Sequence, residues 1–250
     1  MRIRTLRERL RAGERMSGTF IKMPDMSLME VLAQTELDFI IVDAEHAPFG
    51  RAERDRCLAI ARALDLPTLV RVPQPDDILS ALDDGAVGVV VPHVDSAEKA
   101  GAVARAAHFG HGGRGFAGST RWAGFASRTM ADVLAQDSET VVIAQIEEPE
   151  GVDAAEAIAA TDGIDALFAG PADLSVSYGQ TAVGSPELTE ALARIGAAVR
   201  AHGKGYMAWV ASDAQAREWL AHGINAFVVG SDHAWVKSGA NATAAMVKGL

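Results

Sequence analysis

Eight times along this 250-residue chain, a short and almost wholly apolar run rich in β-branched residues is separated from the next by a stretch of helical character. Runs such as FIIVDA, TLVRVP, VGVVVP, VVIAQI and AFVVG do not alternate apolar with polar residues. Both faces of such a strand must be buried, which is the pattern of parallel strands covered by helices. Strands are expected at 18–22, 38–43, 67–72, 87–92, 140–147, 164–169, 205–210 and 225–230. Ala- and Leu-rich stretches at 27–36, 51–64, 96–108, 186–202 and 213–222 supply helices between them. Eight β/α repeats is the number that closes a (β/α)8 TIM barrel. An open doubly wound sheet is the alternative, but it opens on a glycine-rich turn after its first strand, and FIKMPDM stands there instead. No low-complexity linker or charge block divides the chain, so residues 1–250 are expected to form one barrel domain.

Composition narrows the function classes. The chain has 23 Lys and Arg against 33 Asp and Glu, a formal net charge of −10. A nucleic-acid or anionic-membrane surface needs a basic stripe, so neither partner is expected. No run of roughly 18 apolar residues predicts a membrane span. The first residues, MRIRTLRERLRAGER, read as a charged helix without the apolar stretch of a secretion signal. One cysteine, Cys57, leaves no intrachain disulfide and no Cys-based zinc site, and fits a reducing cytoplasm. In RDRCLAI it is expected to be a buried helix residue.

Catalytic groups of a (β/α)8 barrel sit at the C-terminal ends of its strands. The second strand ends in Asp43, Glu45 and His46, the third in Arg71, the fourth in His93 and the fifth in Glu147 and Glu148. The sixth runs into Gly170, Pro171, Ala172 and Asp173, the seventh ends near Trp209, and the eighth in Asp232 and His233. Glu147 and Asp173 follow consecutive strands. Without cysteine or a histidine pair, they favour a hard cation of the Mg2+ or Mn2+ type; each could instead simply cap the following helix. Glu148 is expected to face the helix or solvent. His46 with Asp43 reads as a base and its orienting acid, or as a loop histidine bound to backbone. Arg71 ends a buried strand, where a guanidinium needs a carboxylate partner or an anionic substrate. The N–H groups opening the helix after Gly170 could hold a carboxylate. Lys22 ends the first strand, with no catalytic partner evident nearby, so no Schiff-base lysine is expected.

Other features are set aside. Residues 113–118 match GxGxxG, but a Gly/His stretch rather than a strand precedes them. His202 and His222 precede glycines at helix ends and read as structural. Two wider gaps, at 95–138 and 171–203, interrupt the repeat; the first carries HFGHGGRGFAGSTRWAGFASR, expected to be an active-site or subunit-contact loop. Trp209, Phe116, Phe125 and Trp122 could shape a pocket or serve as packing.

Taken in order, DFIIVDAEHAP, VRVP, LDDGA, VVVPHVDSAEKA, RGF, AQIEEPEG and FAGPADLS resemble the HpcH/HpaI family of class II, metal-dependent 2-oxo acid aldolases. The resemblance spans residues 18–230, with DAEHAP and GPADLS its most distinctive segments. It implies a (β/α)8 barrel whose last helix is exchanged between subunits, in a hexamer built as a trimer of dimers. It also implies a divalent cation (Mg2+, Mn2+ or Co2+) on Glu147 and Asp173, a catalytic His46, and Arg71 on the carbonyl oxygen. Asp43 and Asp83 would be supporting acids, Gln145 would lie close to the metal, and the backbone around Gly170, Pro171 and Ala172 would hold the donor carboxylate, with Trp209 nearby. The implied reaction joins pyruvate or hydroxypyruvate to an aldehyde, or reverses that, giving 4-hydroxy-2-oxo acids. The segment RGFAGSTRWAGF varies within the family, so it leaves the acceptor open. Two other readings stand beside this one, an acyl-CoA lyase of the citryl- or malyl-CoA type and a non-catalytic barrel that binds a small acid.

Overall fold

The structure is a computed structural model and describes residues 2–249. Eight strands run β1 Met16–Ile21, β2 Phe39–Asp43, β3 Thr68–Arg71, β4 Gly88–Val91, β5 Val141–Ile146, β6 Ala166–Ala169, β7 Gly205–Val210 and β8 Ala226–Ser231. They pair in parallel in sequence order, and β8 closes on β1, making a (β/α)8 TIM barrel. β1 begins two residues earlier than its apolar run suggests; β3, β5 and β6 are one or two residues shorter at their ends.

Burial of both strand faces has a simple origin. In β2, Ile41 points into the barrel with Phe39, Leu69, Val90, Ile143 and Phe168, while Ile40 and Val42 point outward against the helices. Two apolar layers result, one inside the barrel and one between strands and helices.

The charged opening segment has a structural task. It forms the helix Arg2–Arg11, whose Ile3, Leu6 and Leu10 fall on one face and join the barrel interior. Its close approach explains Gly205 at the start of β7: a Cβ there would lie 2.6 Å from the Leu10 side chain. Arg7 Nε also reaches the buried Asp165 carboxylate at 2.7 Å. The helix stops one end of the barrel and leaves the strand C-termini open. At that end the chain repeatedly turns into a helix through a serine. The side chains of Ser96, Ser185, Ser212 and Ser231 each accept a backbone N–H three residues on.

The first wide gap holds the helix Ala97–Ala107, an irregular stretch and the helix Met130–Gln136. Within it Arg114 is buried between Phe109 and Trp122, its guanidinium carbon 4.7 and 5.1 Å from their ring centres. The last helix, Asp232–Lys248, packs differently from the rest, since Asp232 is its one buried residue.

Candidate active site

Asp43 and Arg71 are neighbours in the β2–β3 register. Arg71 donates from Nε to Asp43 Oδ1 at 3.0 Å and from Nη2 to Oδ2 at 2.8 Å. Lys22, just past β1, donates to Asp43 Oδ2 at 2.5 Å, and the backbone N–H of His46 donates to Oδ1 at 3.1 Å. Burial alone would raise the pKa of Asp43. The Arg71 hydrogen bonds and charge, with Lys22 behind them, outweigh burial and hold it at about 2. The guanidinium of Arg71 also lies over the Phe20 ring at 4.6 Å, and Glu45 Oε2 stands 3.3 Å from its Nε. Arg71 is thus fixed from three sides.

The second half of the site is acidic. Glu147, just past β5, is buried; its Oε1 accepts from Gln145 Nε2 at 2.7 Å and its Oε2 from the His93 backbone N–H at 3.0 Å. His93 presents that N–H from a left-handed backbone, φ 55°, uncommon for a residue with a Cβ. Burial and the nearby Asp173 charge raise the Glu147 pKa to about 7, although the His93 N–H acts to lower it. Gly170 sits between the two acids: a Cβ there would lie 3.3 Å from Glu147 Oε1 and 3.4 Å from Asp173 Oδ2. The two carboxylates therefore share one small space. Gln145 Oε1 is buried beside them without a hydrogen-bond partner.

These donors fit a small hard cation. Two carboxylates crowded by like charge and an unsatisfied amide oxygen are an all-oxygen set, whose charge a divalent ion would balance. Among the described residues no group of three or more His, Cys, Asp or Glu side chains is arranged to hold a metal. Glu147 and Asp173 would hold the ion as a pair, leaving its other positions to Gln145, water and substrate.

The cleft has two compartments. An inner one of about 100 Å³ is lined by Gln145, Gly170, Pro171 and Ala172. An outer one of about 370 Å³ adds Lys22, His46, Ser231 and Ala234, and the two share Phe20, Arg71, Asp173 and Trp209. Gly170 gives its own N–H to Ile146 O, and Pro171 has none. The first-turn N–H groups of Ala172 and Asp173 are the ones without an intrahelical acceptor.

Asp83 lies outside the cleft of its own chain: it ends the helix Ile78–Asp83, and its Oδ1 accepts from Arg114 Nη2 at 2.6 Å. Other expectations need correction. Asp43 does not orient the His46 imidazole; it binds that residue's backbone, while the ring is 62% exposed with Nε2 3.7 Å from Glu45. Glu148 does not turn away, since its Oε1 is 2.5 Å from His93 Nδ1. Lys22 does have a partner in the site, because β1 and β2 end side by side. Glu45, expected at the end of the second strand, borders the site, as does Phe20, which lies near the end of β1.

A sequence model of the HpcH/HpaI aldolase/citrate lyase family matches residues 16–238. The 5-keto-4-deoxy-D-glucarate aldolase of Klebsiella pneumoniae is 37% identical over 81% of this chain and 80% of its own. The hydroxypyruvate/pyruvate aldolase of Chromohalobacter salexigens is 35% identical over 88% of each. Among solved structures, an HpcH/HpaI aldolase/citrate lyase family protein from Burkholderia cenocepacia superposes with a TM-score of 0.92 at 32% identity, covering 98% of this chain and 99% of its own.

Proposed function

The chain belongs to the HpcH/HpaI aldolase/citrate lyase family, and on that premise we propose that it is a divalent-metal-dependent aldolase. It would make or cleave 4-hydroxy-2-oxo acids, with pyruvate or hydroxypyruvate as donor and an aldehyde as acceptor. The aldolases named among its relatives support a carbon–carbon lyase. The observation that carries the reading is the position of Arg71. It is locked by Asp43 and shares the inner compartment with Gln145, Asp173 and the Gly170–Ala172 backbone.

The residues divide the work as follows. The N–H groups of Ala172 and Asp173 take the donor carboxylate, and Gly170, lacking a side chain, leaves room beside the two acids. Arg71 donates to the keto oxygen, on which negative charge grows as carbon 3 loses its proton. Because Asp43 already fixes the guanidinium, little reorganisation is needed at that moment. Glu147 and Asp173 would hold Mg2+, Mn2+ or Co2+, which when bound supplies Lewis acidity to the donor oxygens. His46, exposed at the mouth, relays the carbon-3 proton and returns one to the alkoxide formed when carbon 3 attacks the aldehyde. Cleavage runs the same steps backwards.

The cleft argues against an acyl-CoA substrate. CoA phosphates need a group of cations, whereas the Lys and Arg residues lining the cleft are Lys22 and Arg71, both tied to Asp43. A homo-oligomer with the last helix exchanged is part of the reading. Its support is the exposed C-terminal helix and a cavity of about 500 Å³ beside β8, lined in part by Ala216, Leu220, Phe227 and Val229. No helix among the described residues is long and apolar enough to cross a membrane, and the reading places the enzyme in the cytoplasm. The test is a donor-by-acceptor screen on metal-stripped protein with each ion added back. Full aldolase activity after EDTA treatment sinks the metal-dependent reading.

A further inference from the structure

We propose that Lys22 selects the acceptor, its ammonium group binding a carboxylate carried by the aldehyde. The proposal rests on the aldolase reading and concerns the outer compartment of the same cleft.

With a volume of about 100 Å³ and the Ala172 and Asp173 N–H groups at one wall, the inner compartment suits a three-carbon donor. Arg71 is then committed to the donor's keto oxygen. The second substrate has the outer compartment of about 370 Å³, where Lys22 stands at one wall and Ser231 and Ala234 at another. The Lys22 side chain is 25% exposed and uses one of its three N–H bonds on Asp43. Asp43 shares its one carboxylate between Lys22 and Arg71, and Glu45 stands 3.3 Å from Arg71 Nε, so the cation left with N–H bonds to offer the compartment is the Lys22 ammonium. Lys22 also lies 5.9 Å from the Phe20 ring centre, which limits where its stem can swing.

None of the donor chemistry requires this lysine. A neutral aldehyde would gain nothing from it, whereas an anionic one would otherwise meet an acidic protein of net charge −10 and the nearby Asp173. One ammonium group beside one carboxylate matches a single negative charge. A phosphate, at about two negative charges, carries more charge than this one ammonium group balances.

The experiment compares a carboxylated aldehyde with its own methyl ester at two chain lengths, glyoxylate and 4-oxobutanoate, with pyruvate as donor. Acid and ester present the same reacting group and differ in charge. Wild type should prefer the acid, and Lys22→Gln should lower the acid-to-ester ratio of kcat/KM at least fivefold at one length or both. Lys22→Arg should keep the preference. A loss shared equally by acid and ester would mean that Lys22 merely holds Asp43, and a ratio changed less than fivefold at both lengths overturns the proposal. If Lys22→Gln does not fold, Lys22→Met is held to the same fivefold criterion, and a wild type with no preference for the acid is equally fatal. Wild type turning over neither acid nor ester means that the aldolase reading itself has failed. Calorimetry then judges Lys22 alone: Lys22→Gln, or Lys22→Met if the first is unstable, must weaken binding of 2-oxoglutarate at least fivefold more than that of 2-oxobutanoate.

Discussion

Arg71 and Asp43 stand opposite each other in the β3–β2 register and meet through two parallel hydrogen bonds at the strand ends. Main-chain pairing places the carboxylate, and the carboxylate places the guanidinium. The same contact makes the fold sensitive to acid. Asp43 is held at about 2 against an ordinary 3.8, so its contribution to stability is present above about pH 4 and lost as pH falls through 2. A shift of that size corresponds to about 2 kcal/mol. Asp43→Asn should therefore unfold more easily than wild type at neutral pH, with the gap closing between about pH 4 and pH 2. Denaturant unfolding of both proteins across that range checks this; a gap independent of pH would refute it.

Much of this site is legible in the sequence because a parallel barrel delivers every strand end to one rim. Arg71, Glu147, Asp173 and Trp209 are found by that rule alone. Lys22 is not legible in the sequence because its partner lies 21 positions away, and only the pairing of β1 with β2 brings them together. The spacing of Asp43 and His46 is ambiguous for a physical reason: an acid three residues before a backbone N–H can cap it, and Asp43 Oδ1 accepts that N–H. Asp83 stands at a helix end, where strand position carries no signal, and pairs with Arg114. The N-terminal helix reads as surface charge until Ile3, Leu6 and Leu10 are set on one face.

Gly170 offers a direct test of the space between the acids. Its φ of −91° is open to any residue, so alanine adds bulk without backbone strain. The new methyl group would meet Glu147 Cγ at 2.8 Å and crowd both carboxylates. Gly170→Ala should weaken Mn2+ binding about 10- to 100-fold while leaving the barrel folded. Isothermal titration alongside thermal melting separates the two effects, and an unchanged affinity would mean that the ion does not bind there.

His46 should be separable from the fold. Alanine keeps the backbone N–H that caps Asp43, and the lost imidazole is mostly exposed. If the ring relays protons, His46→Ala should lower kcat about 10²- to 10⁴-fold with pyruvate binding retained. Equal losses of binding and turnover would instead make it a contact to substrate. Steady-state kinetics with calorimetric binding of pyruvate gives both numbers.

The C-terminal helix carries the remaining expectation. Trp235, Val236, Met246 and Val247 are all exposed, the last three by about 60% or more. Eleven residues make about three helical turns, so 235 and 246, and likewise 236 and 247, lie above one another. They form one apolar stripe along a helix that buries little against its own barrel. In the proposed homo-oligomer, this stripe is the surface a second copy would cover. Val236→Glu with Val247→Glu places two charges on it without touching Asp232, whose carboxylate accepts the Lys22 and Met23 N–H groups and anchors the helix start. Light scattering should show an assembled wild type and a smaller particle for the double variant, and melting should depend on protein concentration in the wild type alone. A wild type that stays monomeric, or a variant of unchanged mass, would place the contact elsewhere or remove it.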